Sequence, residues 1–188
     1  LERFINEPDN EIDPLIRMAV IHHRFESIHP FYDGNGRTGR IINVLYLVHA
    51  GLLDIPVLYL SRYLVRHKNE YYRLLQAVRE TGEWQPWVLY MLEAVAETAQ
   101  QSITVVSAIR AAMQDYKHRI RDKFSFYSQD LINHLFCHPY TKIEFVADAL
   151  SVSRQTAAKY LDELVTENLL HKEKLGKSNY YINIVLYD

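Results

Sequence analysis

Apolar residues recur at helical spacing through most of the chain. Between 14 and 28, Leu15, Ile16, Met18, Ala19, Ile21, His22 and Phe25 follow an Asp13–Pro14 pair suited to an N-cap and first turn. A helix is therefore expected to run to about Ile28. Ile41, Ile42, Val44, Leu45, Leu47 and Val48 then cover nearly the whole circumference of a second helix. Such a helix should be buried, with Gly51 as its C-cap. A third stripe of Leu64, Tyr71, Leu74, Leu75 and Val78 predicts one helix over 61–81, ended by Gly82. From Pro86 to about Phe124 a long helical pattern contains no further Pro or Gly, and its second half reads as a connector. Ahead of all these stand a partial apolar segment, LERFIN, and a turn-rich EPDNEID.

Beyond 124 the rhythm shortens. Helices are expected at 129–136, at 142–150 with Thr141 as cap, and at 154–167 with Ser153 as cap. Two β-rich segments, 169–174 and 179–186, follow around Leu175–Ser178. The fold class is mainly α, in two parts: 1–124, and a module at 125–188 with a small β-hairpin. At 188 residues, the chain is long enough for two small cores.

Composition narrows the classes. A hydrophobic fraction of 48% describes a globular chain, and a formal charge of −2 gives no general pull toward nucleic acid. The single Cys137 excludes an intramolecular disulfide and fits a reducing, cytoplasmic setting. No apolar stretch reaches membrane-spanning length, so no membrane partner is expected. The chain begins at Leu1, inside what reads as a helix, and is expected to be a fragment of a longer protein.

Candidate chemistry lies between the first two helices. Pro30 disfavours helical geometry in the residue before it, so the first helix should stop near His29. Gly34, Asn35 and Gly36 then precede the second helix, whose free N–H groups and positive dipole end can cradle a phosphate. Arg37 and Arg40 share a helix face and can add two guanidinium forks. Asp33 is a hard oxygen donor suited to Mg²⁺. A GNG is usually a turn and a lone His usually structural, but here they fall within the twelve residues from His29 to Arg40. Neither a Walker P-loop nor an EF-hand fits, since Val44 stands where the latter needs Glu. His22 and His23 are adjacent and so point to different helix faces, which favours packing over zinc binding.

HPFYDGNGRTGR matches every fixed position of the Fic (Fido) family signature HPFx[DE]GNGRxxR, and AVIHHRFESIHPF resembles the helix leading into it. The resemblance implies a protein adenylyltransferase: a nucleotidyltransferase moving AMP from ATP, with Mg²⁺, to a Ser, Thr or Tyr hydroxyl of a target protein. On matching positions, His29 would be the general base, Asp33 the Mg²⁺ ligand, and Gly34 to Gly36 the phosphate-holding backbone. Asn35 would help fix the α-phosphate, Arg37 and Arg40 would meet the outer phosphates, and Phe31 would anchor the loop in the core. Tyr71 and Tyr72 match a pair that borders the nucleotide base, although core packing explains one of them equally well. Arg79 stands where some relatives carry Asn near the adenine. An imidazole is mostly neutral near pH 7 and can take a hydroxyl proton, and phosphoryl-type transfer needs mainly positioning and charge neutralisation. Relatives that remove AMP, use another nucleotide or move another phosphate-containing group stay open as alternatives. A Lys at Gly36 goes with phosphorylation, so Gly36 favours nucleotidyl transfer. The inhibitory [ST]xxxE[GN] of many relatives is absent from this sequence and is expected upstream, with the target-aligning β-flap.

The order of elements after 124 resembles a winged helix-turn-helix domain, in which Ser153, Arg154, Gln155, Thr156 and Lys159 would face a DNA groove. Residues 125–188 carry six basic against eight acidic residues, a net of −2, and DNA readers normally show a basic footprint. Protein contact or a homodimer is favoured on charge, and DNA remains the alternative. On that alternative the chain is a DNA- or protein-binding regulator with the Fic part as nucleotide sensor.

Overall fold

The computed structural model describes residues 1–7 and 11–187 and divides into two compact units, Leu1–Thr104 and Val105–Asp188. The Pro8–Asn10 portion of the expected EPDNEID turn lies outside the described residues.

The first unit is helical. α1 (Glu2–Asn6) is tied to α2 (Pro14–Ile28) by Arg17, a buried guanidinium lying 4.5 Å over the Phe4 ring and donating to the Phe4 and Glu7 carbonyls. Asp13 caps α2 by accepting the Leu15 N–H at 2.8 Å, as its place before Pro14 predicts. α3 (Asn35–His49) packs along α2, and its end is turned by Gly51 at φ 73°. The buried positions of α3 are Asn35, Gly39, Asn43, Tyr46 and Leu47, a single face at helical spacing. Expected burial around the whole helix is thus corrected: Ile41 and Leu45 are 59% and 54% exposed, because α2 covers only the side carrying Gly39 and Asn43.

The helix expected over 61–81 is two, α4 (Ser61–Arg66) and α5 (Lys68–Thr81). His67 breaks it at φ −106°, ψ 35°, and its carbonyl accepts the Tyr71 N–H at 3.0 Å and the Tyr90 hydroxyl at 3.4 Å. α6 (Gln85–Lys123) places Trp87, Tyr90, Met91 and Ala94 in the core of the first unit. Trp87 is wholly buried and donates its indole N–H to the Ala19 carbonyl at 2.9 Å, fixing α6 to α2.

The second unit begins inside α6, ahead of the boundary expected at 124, because Met113, Tyr116 and Ile120 already pack into its core. α7 (Gln129–Cys137), β1 (Tyr140–Thr141), α8 (Ile143–Leu150), α9 (Arg154–Thr166), β2 (Leu170–Leu175), β3 (Ser178–Asn183) and α10 (Ile184–Tyr187) follow. The antiparallel sheet has order β1-β3-β2, with Tyr140 opposite Ile182 and Leu175 opposite Ser178 across a Gly176–Lys177 turn. Leu131, Ile132, Leu135, Val146, Leu161, Leu164 and Tyr181 fill the core beneath it.

Ser153 caps α9 by accepting the Thr156 N–H at 3.1 Å. Thr141 is not a helix cap. It lies in β1, its hydroxyl 2.7 Å from His134 Nε2, and Lys142 stands at the α8 N-cap without a side-chain bond. The strand expected to reach Leu186 stops at Asn183, whose N–H donates to Pro139 and whose amide donates to the Leu135 carbonyl. With those bonds made, the chain leaves the sheet and closes a turn of helix. Among the described residues, no helix is long and apolar enough to cross a membrane.

Candidate active site

The α2–α3 connection is shaped by its own residues. Pro30 ends α2, and His29, at φ 49° and ψ 58°, adopts the left-handed cap conformation with its N–H on the Phe25 carbonyl. The imidazole thereby leaves the helix surface and stands exposed at the head of the loop. Asn35, buried at the start of α3, braces the loop from within. Its Oδ1 accepts the Phe31 N–H at 3.0 Å, and its Nδ2 donates to the Phe31 carbonyl at 2.6 Å. One sequence expectation changes here. Phe31 is 50% exposed and only edges against Phe25, so Asn35 rather than Phe31 anchors the loop. The Asn35 amide is spent on that backbone, leaving its N–H rather than its side chain for an anion.

Gly34 precedes α3 at φ 85°, a conformation that favours glycine. The first intrahelical bond is from Thr38 N–H to Gly34 O at 2.9 Å, so the N–H groups of Asn35, Gly36 and Arg37 precede any i−4 acceptor. A side chain at Gly36 would enter this space, since its Cβ would lie 3.2 Å from Arg40 Nη1. Asp33 uses Oδ1 to accept the Gly34 N–H at 2.7 Å and Oδ2 to meet Arg37 Nη2 at 3.1 Å, both side chains being well exposed. That exposed pair adds little stability and is easily exchanged for a ligand. Arg40 is half-buried, and its Nε has no hydrogen-bond partner.

Beneath the loop, His22 stacks on Trp87, lies 3.0 Å from the Tyr71 hydroxyl through Nε2, and takes the Asn43 amide on Nδ1 at 3.0 Å. Burial drives its pKa down to about 4, so it is a neutral packing element, as is His23 against Trp84. Tyr71 is buried, and burial pushes its phenol well up, while Tyr72 stands exposed with its ring 5.2 Å away in a T-shaped contact. Arg79 donates through Nε to Ser27 Oγ at 3.2 Å and through Nη2 to the Glu26 carbonyl at 3.3 Å, gripping the C-terminus of α2.

His29, Asp33, Gly34, Asn35, Gly36, Arg37 and Arg40 from one short stretch, and Tyr71 and Tyr72 from α5, line one cavity of about 490 Å³. Glu26, Tyr32, Leu75 and Arg79 share its wall. Glu26 escaped the sequence reading, although a carboxylate four residues after His22, on the buried side of α2, was its signal. Donors and cations dominate the wall, a composition suited to a polyanion with one base at its edge. Asp33 is a carboxylate at the rim, and among the described residues no group of three His, Cys, Asp or Glu could hold an ion unaided. One carboxylate completed by ligand phosphates is the usual donor set of Mg²⁺, so the residues present fit that ion.

The candidate DNA-facing residues of the second unit lie together at the N-terminal end of α9. Gln155, Thr156 and Lys159 line a separate cavity of about 460 Å³ beside a stacked Phe126–Tyr160 pair, whereas Ser153 and Arg154 do not. Arg154 lies 3.8 Å from Glu144, and Lys159 lies 3.8 Å from Glu163.

Residues 1–47 match the Fic/DOC family model, and residues 112–186 match the model of the C-terminal domain of SoFic-like protein adenylyltransferases. Protein adenylyltransferase Fic of Drosophila yakuba is 32% identical over 98 residues, covering 52% of this chain and 18% of that protein. Protein adenylyltransferase fic-1 of Caenorhabditis elegans is 35% identical over 92 residues, covering 49% and 17%. The chain thus spans about a fifth of the length of the curated relatives it matches. A crystal structure of a Fic family protein from Desulfovibrio desulfuricans G20 superposes with a TM-score of 0.50 at 21% identity, covering 96% of this chain and 52% of that one.

Proposed function

We propose that the chain is a Fic-type protein adenylyltransferase transferring AMP from ATP to a hydroxyl side chain of a target protein. The observation that carries this is the convergence of an imidazole, a carboxylate, a helix N-terminus and two guanidinium groups on one cavity. The curated relatives named protein adenylyltransferase support it.

His29 takes the proton of the target hydroxyl, and the hydroxyl oxygen attacks the α-phosphorus. A new oxygen–phosphorus bond forms as the bond to pyrophosphate breaks. The N–H groups of Asn35, Gly36 and Arg37 receive phosphate oxygens at the positive end of the α3 dipole. Arg37, released from Asp33, and Arg40 take the outer phosphates and so bear the charge of the departing pyrophosphate. Asp33 would hold Mg²⁺, which supplies charge neutralisation when bound. Tyr71 and Tyr72 offer one buried and one open aromatic wall to the base, with Arg79 beside them.

Labelled AMP transfer from α-³²P-ATP to protein should fall on the order of 10²-fold or more in His29→Ala, as loss of a general base implies. Retention of the label at wild-type rate would remove His29 from this role. We read residues 125–188 as a winged helix-turn-helix module that contacts protein rather than DNA. The net charge of −2 favours that reading, because a DNA reader normally presents a basic footprint.

A further inference from the structure

We propose that Glu26 is a positioning residue that acts through Arg40, holding its guanidinium over the N-terminus of α3 for the outer phosphates of the nucleotide; this rests on the site reading above. Glu26 is 8% exposed yet lines the cavity, and its Oε1 has no hydrogen-bond partner. A buried carboxylate costs stability unless a charge compensates it, and an apolar side chain of like size would pack more cheaply.

The compensating group can be identified by elimination. The cations that bear on Glu26 are Arg40, His29 and Arg79. Arg79 has committed Nε and Nη2 to Ser27 and the Glu26 carbonyl, and His29 belongs to the exposed loop. Of these three, Arg40 alone combines a buried donor, Nε, that has no acceptor with a position beside Gly36. A Cβ on Gly36 would meet Arg40 Nη1 at 3.2 Å and Glu26 Oε1 at 4.0 Å, so the two side chains converge there.

The carboxylate is itself fixed in place. A Cβ on Gly39 would lie only 2.6 Å from Glu26 Oε1 and 3.2 Å from both His22 Cε1 and Phe25 Cδ1, so the oxygen fills the notch that glycine leaves between α2 and α3. Desolvation pushes Glu26 upward while Arg40, His29 and Arg79 pull it back down, the balance expected of a carboxylate kept next to cations in a dry place. An Arg side chain loses considerable rotamer freedom when immobilised on a ligand. Glu26 restricts Arg40 before the phosphates arrive, which lowers the cost of binding them.

The test is calorimetric binding of ATP and of AMP to the whole chain with Glu26→Gln, Arg40→Ala and both together. AMP has no outer phosphates and serves as the internal control. Glu26→Gln should weaken ATP roughly threefold to tenfold, within the range of coupling between charges of one network, leave AMP unchanged, and cost nothing further beside Arg40→Ala. Unchanged or tighter ATP binding, equal loss of both nucleotides, or a loss that persists beside Arg40→Ala would each overturn the proposal. If Arg40→Ala itself spares ATP, the site reading fails. If Arg40→Ala weakens ATP and Glu26→Gln does not, only the role of Glu26 fails. Should Gln disturb folding, Glu26→Met removes the buried charge at similar length and must show the same selective loss of ATP.

Discussion

His22 makes the first unit sensitive to acid, and the size of the effect follows from its surroundings. Its ring is 1% exposed, stacks on Trp87 at 6.0 Å and uses both nitrogens, on Tyr71 and Asn43. Desolvation lowers its pKa from 6.5 to about 4, Arg40 and His23 add to the fall, and the bonds to Gly39 and Asn43 oppose it. The unfolded chain therefore binds a proton here before the native state does. Stability from this residue is complete above pH 6.5 and is lost as pH falls toward 4. Linkage gives a loss of about 2 kcal/mol by pH 5 and about 3 kcal/mol by pH 4. Glu26 acts with the opposite sign, because its pKa is raised on folding and the native state gains its proton first, so wild-type acid stability alone mixes the two. The difference between His22→Gln and wild type isolates the histidine. Both tryptophans, Trp84 and Trp87, lie in the first unit, so their fluorescence during urea unfolding reports that unit. The variant should be less stable at pH 7, and its deficit should shrink by about 2 kcal/mol at pH 5. A deficit that does not change with pH would refute the reasoning.

Gly39→Ala should destabilise the first unit by about 1–2 kcal/mol, because overpacking between α2 and α3 outweighs the gain in helix propensity; urea unfolding measures it, and a stabilised variant would show that the helices separate freely. Tyr116→Phe should cost the second unit about 1–2 kcal/mol, since it strands the buried Leu169 carbonyl that now accepts the Tyr116 hydroxyl at 2.6 Å. Circular dichroism during thermal melting reads that loss, and an unchanged melting temperature would mean water replaces the hydroxyl.

The helices carrying the site could be read from sequence because their signals are local. Asp13–Pro14, His29–Pro30 and Gly51 mark ends through backbone preferences that need no partner. Non-local features were hidden. At the break the His67 carbonyl also accepts the Tyr90 hydroxyl, twenty-three residues away, and a continuous stripe from Leu64 to Val78 conceals the break. β1 is two residues long and exists only because β3 offers it a ladder, so Thr141 reads as a cap until its strand is known. Burial around α3 was overestimated for the same reason: hydrophobicity shows which residues can be covered, whereas the partner shows which are.

The cavity wall shows the same contrast. His29, Asp33, Gly34, Gly36, Arg37 and Arg40 come from one short stretch, so the spacing of the motif already implies their neighbourhood. Glu26, Tyr71, Tyr72 and Arg79 come from α2 and α5, and what brings them in is the core itself. Tyr71 reaches the cavity because its hydroxyl meets His22, His22 is fixed by Asn43, and Asn43 lies one turn beyond Gly39 on the same face of α3. The neutral His22, the notch at Gly39 and the carboxylate of Glu26 thus belong to one α2–α3 contact. A substitution that loosens this contact should change both the stability of the first unit and the placement of Arg40, which lies beside Gly39 in the chain. The site and the core of this unit are coupled through shared residues, so variants on the buried face of α3 should lose ATP affinity and stability together, whereas variants of the exposed Ile41 or Leu45 should lose neither.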